Sequence, residues 1–375
     1  MLVASTGNLV ITIFRFRHHT KERSSTSIRI AHYGVSHRTL NIMEELKMDT
    51  ILALPNFICV ILAALAPFLI PDSHAQTYPS RVVTMVVPSA PGGTTDFTAR
   101  LLGESLSKGL KQNVIIDNRP GAAGNVGTQF AARAKPDGHT LLMQYSGIHV
   151  TNVWLYKNLG WHPAKDFVGV GMALVAPHLF VVHPSLPVKN LADLAKLARS
   201  SDGLLTYASS GVGSIQHIGT EMFLQRIKAK MVHVPYKGAG PAVVDLLGGH
   251  VAVFNTTPPS VVNHVRAGKL RALAYLSKER HRSMPEIPTS AEAGAAGYEI
   301  ESWFALFAPT GTPRDIVERL GNEVARIVES PDFKRKAEEQ GAFSKVIEPN
   351  ALDAYVLREM DAWGKVITAA RIPAE

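Results

Sequence analysis

The sequence predicts an α/β protein built from two lobes with a ligand cleft between them. Short apolar strands alternate with amphipathic helices, and five strands end in a turn of glycine, serine or threonine that opens a helix. Such turns place helix N-termini at the carboxyl edge of a sheet, where free N–H groups favour an anionic ligand. The 375 residues, 46% of them hydrophobic, suffice for two hydrophobic cores.

The first such turn lies in RVVTMVVPSAPGGTTD, residues 81–96. A buried strand ends at two prolines, two glycines let the backbone turn, and a threonine caps the next helix. The candidate ligand residues here are Gly92, Gly93, Thr94, Thr95 and Asp96. Asp96 has two interpretations: it stabilises its own helix N-terminus, or it accepts a hydrogen bond from a ligand ammonium or hydroxyl.

The pattern then repeats within the first half of the chain. A helix over 97–110 is followed by a strand over 114–116, which enters the glycine turn DNRPGAAGN. A helix of small residues over 126–134 and a strand over 141–143 come next, and this strand ends at Tyr145-Ser146-Gly147. Residues 76–178 are therefore predicted to form a βαβαβ unit of lobe 1.

A second lobe is predicted over residues 179–277, where the pattern starts again. Strands are predicted at 179–182, 204–208, 231–234, 251–254 and 270–276, and helices at 191–199, 215–227, 241–247 and from 258 to about 266. Three of these strands enter helix-opening turns: SSGVGS, PYKGAG and NTTP. The last strand has no such turn.

The chain is predicted to return to lobe 1 over residues 278–375. The proline-rich MPEIPTSAEAG is interpreted as the crossing segment, followed by an apolar run over 303–307 and three helices. The helices begin near 313, 332 and 351 and have apolar faces that pack on lobe 1. Trp303 belongs either to the core or to a wall of the cleft.

The N-terminal part is predicted not to belong to the mature fold. Residues 51–70 are uncharged and mostly apolar, and Ser73-His74-Ala75 resembles a signal-peptidase site. We expect residues 43–75 to be a signal peptide that directs the protein to the periplasm, with an uncleaved membrane anchor as the alternative. Residues 1–42 show neither periodicity nor caps and are interpreted as a mis-set start.

Composition and motifs argue against several other functions. The formal net charge is +8, but the basic residues are scattered along helices, which does not favour nucleic-acid binding. The single cysteine, Cys59, lies in the apolar leader, so no disulfide or thiolate site is expected. Dinucleotide, P-loop and zinc motifs are absent from the sequence, and Ser209 and Ser210 lack the first glycine of a hydrolase elbow. We expect no enzymatic activity, no cofactor and no metal.

The motifs in series resemble one family, the tripartite tricarboxylate transporter solute-binding proteins, also called Bug or TctC-like receptors. The resemblance spans Tyr78 to the C-terminal helix, and rests on PSAPGGTTD, DNRPGAAGN, YASSGVGSIQH, VPYKGAG and WFALFAPTGTP in that order. It implies a type II periplasmic-binding fold with two lobes and a hinge. It also implies a secreted, monomeric receptor that delivers a small carboxylate, such as a di- or tricarboxylate, to the membrane permease subunits.

The resemblance also implies a set of ligand-binding positions. Besides the first loop, these are Gly124, Asn125, Ser146, Ser209, Gly211, Gly213, Ser214, His217, Tyr236, Lys237 and Gly238. The sequence departs from the family where ligand identity is set: Ser89 replaces a common aromatic residue, and Val251, Ala252 and Asn255 stand where an acidic residue is frequent. An amino-acid ligand is therefore not expected. A receptor of the same fold that signals to a sensor kinase is the alternative function.

Overall fold

The computed structural model describes residues 2–6, 9–13, 78–370 and 372 of the chain. The chain divides into two units, Met1–His74 and Ala75–Glu375. In the first unit, β1 (Leu2–Thr6) pairs antiparallel with β2 (Leu9–Ile13), a hairpin that the sequence analysis missed. The predicted signal peptide over 43–75 lies outside the described residues.

The second unit contains two sheets and the helices that cover them. Its strands are β3 (Val83–Val87), β4 (Val114–Asn118), β5 (Thr140–Tyr145), β6 (Phe167–Pro177), β7 (Leu179–Val182), β8 (Thr206–Ser209), β9 (Val232–Pro235), β10 (Val253–Thr256), β11 (Arg271–Tyr275), β12 (Glu301–Pro309) and β13 (Phe343–Ser344). Its helices are α1 (Thr94–Leu110), α2 (Asn125–Ala132), α3 (Asn152–Leu155), α4 (Pro163–Asp166), α5 (Leu191–Ser200), α6 (Ile215–Ile227), α7 (Ala239–Leu247), α8 (Val262–Arg266), α9 (Arg314–Glu329), α10 (Pro331–Glu339) and α11 (Pro349–Ala369).

The two sheets share one topological plan. The first has the order β13-β6-β12-β5-β3-β4, and the second has the order β11-β7-β10-β8-β9. In the first sheet, β3 lies between its parallel partners β4 and β5, and the antiparallel β12 pairs with β5. In the second sheet, β8 lies between its parallel partners β9 and β10, and the antiparallel β7 pairs with β10. The parallel strands of each sheet therefore present their carboxyl ends, and the turns that follow them, at one edge.

We call the six-stranded sheet with its helices the first lobe and the five-stranded sheet with its helices the second lobe. The chain leaves the first lobe at His178, between β6 and β7, and returns to it between β11 and β12. The two crossings are hydrogen-bonded side by side: His178 N–H donates to Ile300 O at 2.9 Å, and Leu276 N–H donates to His178 O at 2.7 Å. This paired crossing has the connectivity of a hinge.

Strand β6 is a long element that the sequence analysis did not predict. Its sequence, FVGVGMALVAP, is interrupted by Gly169 and Gly171, which ordinarily weaken a strand. A Cβ at Gly169 would lie 3.0 Å from Leu352 of α11, and one at Gly171 would lie 2.9 Å from Val324 of α9. The glycines therefore permit two helices to pack directly on the sheet.

The core of the first lobe lies between its sheet and helices α1, α9 and α11. Helix α9 buries Val317, Leu320, Val324, Ile327 and Val328 on one face, at the spacing that its sequence predicts. Among the described residues, no helix has both the length and the apolar character needed to cross a bilayer.

Candidate functional site

A small cavity lies where the turns of the two lobes meet. Its volume is about 30 Å³, room for only a few water molecules. The lining residues are Pro88, Ser89, Gly93, Thr94, Thr95, Ala123, Gly124, Tyr145, Ile148, Ser210, Gln216, Lys237, Gly238, Ala239, Thr257, Ser302 and Phe304. Most of them stand just beyond the carboxyl end of a strand, the edge at which α/β sheets bind ligands.

Three helices begin at this cavity with a glycine instead of a capping side chain. The N-caps of α1, α2 and α7 are Gly93, Gly124 and Gly238, and none provides a side-chain cap. In contrast, α5 and α10 are capped by the side chains of Asn190 and Ser330. The first-turn amides of α1 and α7 have no partner within the helix, so these two glycine-capped ends offer N–H donors and a positive dipole to the cavity. In α2 the amides of Asn125 and Val126 instead donate to Ala122 O and Gly121 O of the preceding turn.

Direct contacts across the cavity show that the lobes are closed on each other. The hydroxyls of Thr94 and Thr257 lie 2.7 Å apart, and Ala90 N–H donates to Lys237 O at 3.0 Å. A Cβ on Gly240 would overlap the carbonyl oxygen of Pro91. These contacts narrow the space between the lobes, so we expect an organic acid larger than a few waters to enter when the lobes separate.

A polar cluster from both lobes forms one side of the cavity. Gln216 Oε1 accepts hydrogen bonds from Ser210 Oγ at 3.0 Å and from Tyr145 OH at 3.3 Å. Burial raises the pKa of Tyr145 to about 12, so the phenol keeps its proton at neutral pH. Tyr145 lies at the end of β5 in the first lobe, whereas Gln216 lies in the first turn of α6 in the second.

The electrostatics of the cavity favour an anion. Of the lining residues in the described part of the chain, Lys237 alone carries a charge and none is acidic. Ser89 also lines the cavity, and its buried Oγ has no hydrogen-bond partner among the described residues. Donors and a cation without a carboxylate suit a negatively charged ligand group.

The structure brings together seven of the residues that the sequence analysis singled out. The seven that line the cavity are Ser89, Gly93, Thr94, Thr95, Gly124, Lys237 and Gly238. They come from the first, second and fourth of the helix-opening turns in chain order. The turns therefore converge on one space, and the remaining candidates lie behind it.

Asp96 lies behind the first loop and has partners of its own. Its carboxylate accepts from Gly92 N–H at 3.1 Å, from Asn118 Nδ2 at 3.1 Å and from Arg100 at 3.0 Å. It is outside the cavity lining. This geometry corresponds to the first of its two interpretations, in which Asp96 stabilises the start of α1 and fixes the Gly92 turn.

The loop SSGVGS of the second lobe, residues 209–214, is held in place by hydrogen bonds among its own residues and to neighbouring histidines. Ser214 caps α6 through His217 N–H, and His217 Nδ1 accepts from Gly213 N–H at 3.2 Å. Ser209 Oγ contacts Gly211 and lies 2.6 Å from His233 Nε2. None of these side chains lines the cavity, but together they shape the loop that carries Ser210 and Gln216.

Asn125, Ser146 and Trp303 support the first lobe from within. Asn125 Oδ1 accepts from Asn152 Nδ2 at 2.8 Å, and Ser146 Oγ accepts from Trp303 N–H at 3.2 Å. The Trp303 ring is 2% exposed and donates to Glu359 at 3.3 Å, so it belongs to the core.

The last two candidates, Tyr236 and Asn255, also make contacts within the protein. Tyr236 OH donates to Asp245 Oδ2 at 2.7 Å. Asn255 Oδ1 accepts at 3.0 Å from Nδ1 of His178, the residue at the crossing between the lobes. Nε2 of the same ring lies 2.8 Å from Oγ of Ser302, which lines the cavity. Asn255 thus belongs to a polar chain between hinge and cavity.

Several lining residues were not among the sequence-based candidates. Those with polar or aromatic side chains are Tyr145, Ser210, Gln216, Thr257, Ser302 and Phe304. Tyr145, Ser210 and Thr257 directly end or follow a strand, a signal that was available for each. Gln216, Ser302 and Phe304 lie within a helix or strand, where sequence position alone gives no such signal.

Comparison with known proteins identifies close relatives. A family model described as "Tripartite tricarboxylate transporter family receptor" matches residues 98–372. Protein BugT of Bordetella pertussis is 36% identical over 294 residues, which is 78% of this chain and 90% of that protein. A protein of Pseudomonas sp. strain P51, encoded in the tcbD-tcbE intergenic region, is 36% identical over 300 residues, 80% of this chain and 89% of that protein.

Solved structures are similar over the same part of the chain. The R. palustris protein Rpa4515, determined with adipate, has a TM-score of 0.77 and 38% identity, and covers 80% of this chain and all of its own. MatC of Rhodopseudomonas palustris, determined with bound malate, has a TM-score of 0.74 and 34% identity, and covers 77% of this chain and all of its own.

Proposed function

Because the chain belongs to the tripartite tricarboxylate transporter family of receptors, we propose that it captures a small carboxylate between its lobes and delivers it to the permease subunits of such a transporter. The family is one of periplasmic solute-binding proteins and not of enzymes. The ligand class is a di- or tricarboxylate or a related organic acid.

The observation that carries this proposal is the convergence of three glycine-capped helix N-termini on a cavity without acidic side chains. A carboxylate accepts charge-assisted hydrogen bonds worth about 1.5–3 kcal/mol each from such donors. Three or four of them supply roughly the 8 kcal/mol of a micromolar complex before ordering costs are subtracted. Closure of the lobes strengthens these bonds by excluding water.

The relatives support the same ligand class. Rpa4515 was determined with adipate and MatC with malate, and both ligands are dicarboxylates. Both proteins match this chain over the part that contains the two lobes. The ligand that we propose for this chain therefore has the chemistry of theirs.

Export to the periplasm completes the proposal. A permease in the inner membrane meets its receptor there, and we propose that residues 43–75 serve as the signal peptide and that the mature receptor is a monomer. We propose that the fold consists of residues 76–178 with 278–375 in the first lobe and 179–277 in the second.

Native mass spectrometry of the protein purified without denaturation tests the ligand class. We expect a co-purified carboxylic acid, and isothermal titration calorimetry with that acid is expected to give a dissociation constant of about a micromolar or below. A ligand without a carboxylate would contradict the proposal. In a deletion strain, lost uptake of the acid supports delivery to a permease, whereas intact uptake with lost gene induction would indicate the sensor-kinase function instead.

A further inference from the structure

The side-chain amide of Gln216 is held through its oxygen alone. Oε1 accepts from Ser210 Oγ and from Tyr145 OH, whereas Nε2 donates to no atom of the described residues. The residue is 6% exposed, and it lines the cavity. Nε2 is not among the buried side-chain atoms that lack a partner, so it is accessible from the cavity. A ligand in the cavity can therefore supply its acceptor.

The Tyr145 hydroxyl indicates which end of the amide faces the ligand. It donates to Gln216 Oε1 at 3.3 Å and lies 3.5 Å from Ser210 Oγ. Burial raises the pKa of Tyr145, which keeps that proton in place. Ser210 donates to the same oxygen. With Oε1 occupied by two donors, the NH₂ group is the free end.

This orientation is set across the cleft. Tyr145 belongs to the first lobe and Gln216 to the second, so the hydrogen bond between them exists only when the lobes are closed. The amide is therefore directed by a residue of the opposite lobe in the same state that encloses the ligand. Lys237 is the charged lining residue, so no lining carboxylate is present to attract an ammonium.

We propose that Gln216 determines specificity for one end of the ligand by donating its NH₂ group to an acceptor oxygen, a second carboxylate or a carbonyl, and by rejecting an ammonium at that end. This inference rests on the proposed function and narrows it to dicarboxylates and oxo acids over amino acids. Tyr145 and Ser210 act as positioning residues for the amide.

The test compares two charges at one end of the same ligand. Calorimetry on the wild-type protein first ranks the linear dicarboxylates from succinate to suberate. The tightest of them is then compared with its ω-amino acid of equal chain length, in which an ammonium replaces one carboxylate. The variants are Gln216→Glu, which exchanges the donor for an anion, and Gln216→Leu, which removes the donor without adding charge. Gln112→Glu, in a loop after α1, is the matched charge control.

We expect Gln216→Glu to bind the dicarboxylate at least about tenfold more weakly and the ω-amino acid more tightly than wild type does. Gln216→Leu is expected to weaken the dicarboxylate without a gain for the ω-amino acid, and Gln112→Glu to match wild type. Circular dichroism melts confirm that each variant is folded.

Three other outcomes distinguish a failure of this inference from a failure of the proposed function. If wild type binds the dicarboxylate but both Gln216 variants retain its affinity and its preference over the ω-amino acid, the inference is overturned and the proposed function stands. If wild type binds no carboxylate at all, the proposed function fails and the inference fails with it. Wild-type preference for the ω-amino acid overturns the inference alone.

Discussion

The hydroxyl oxygens of Thr94 and Thr257 lie 2.7 Å apart and join the start of α1 in the first lobe to the loop after β10 in the second. Both side chains are buried, and both line the cavity. This hydrogen bond therefore fastens the two lobes at the place where the ligand is proposed to bind.

Replacing Thr257 with valine removes that fastening at almost constant volume. We expect Thr257→Val to weaken binding of the dicarboxylate by about tenfold, because a buried hydroxyl that loses its partner costs about 1–3 kcal/mol. Calorimetry measures the affinity. The control is Thr368→Val on α11, whose hydroxyl donates to Gly364 O of its own helix. Equal affinities in both variants would contradict a closing role for the threonine pair.

Gly240 in α7 is where the lobes approach too closely for a side chain. The Cβ of Gly240→Ala would overlap the Pro91 carbonyl, so we expect the variant to fold but to close incompletely. Its affinity for the ligand is expected to fall by at least about tenfold, since closure supplies much of the binding energy. Small-angle scattering with saturating ligand is expected to give a larger radius of gyration than for wild type.

The control for this substitution lies at the other end of the same helix. Gly248→Ala adds the same methyl group at an exposed position, where its neighbour is the His250 side chain. It is expected to behave as wild type in both measurements. A Gly240→Ala protein that compacts normally on binding would show that the lobes do not need this contact.

Lys237 is the cation at the cavity, and its side chain is exposed. We expect Lys237→Gln to reduce affinity for a dicarboxylate by roughly threefold to fivefold at low salt, the effect of an exposed charge pair of about 1 kcal/mol. Added salt is expected to narrow the difference because it screens that charge. Lys269→Gln, exposed elsewhere on the second lobe, is the control. A difference that does not change with salt would argue against an electrostatic role.

His149 makes stability depend on pH. Its ring is buried 4.1 Å from that of Phe307, and neither ring nitrogen has a partner among the described residues. Burial, together with the charge of His162, lowers the pKa of His149 from 6.5 to about 3. Between these values the unfolded chain binds a proton that the folded protein does not. The contribution of neutral His149 to the free energy of unfolding is therefore fully present above pH 6.5 and is lost as the pH falls toward 3.

His149→Leu is expected to flatten this dependence. Between pH 6 and pH 4 the free energy of unfolding is expected to fall more steeply for wild type than for His149→Leu. The difference in slope is about 1.4 kcal/mol per pH unit, the effect of this one proton. Urea titrations at a series of pH values measure the slope for both proteins. The other buried histidines remain in both and cancel in the comparison. Parallel curves would mean that His149 is already protonated or is never buried neutral.

Most of the turns and longer helices of this fold follow from local sequence and were predicted, whereas the short helices α3 and α4 were not. Helix α6 was predicted at 215–227 and spans Ile215–Ile227, because Ser214 caps it and Lys228 ends it in a left-handed conformation. Strand β6 was not predicted, because its glycines pack against α9 and α11, which lie within residues 314–369, far along the chain. Rules that consider only neighbouring residues in the sequence cannot predict contacts of this kind.

The site shows the same division. Glycine turns identified the helix starts at Gly93, Gly124 and Gly238, whose role depends on the backbone. Side chains were harder, because facing alternates along a strand and its continuation: Ser209 points into the loop interior while its neighbour Ser210 lines the cavity. The role of Gln216 depends on a hydroxyl from the opposite lobe, which only the folded protein brings near.

The glycine caps have a consequence for how this protein can be studied. An anion that binds at the three glycine-capped helix N-termini binds the native state and not the denatured chain. Binding of the anion is therefore expected to raise the melting temperature by mass action. At about one hundred times the dissociation constant the gain is about 2.7 kcal/mol, which is several degrees for a domain of ordinary size. A thermal-shift screen of organic acids can therefore identify the cargo without a label.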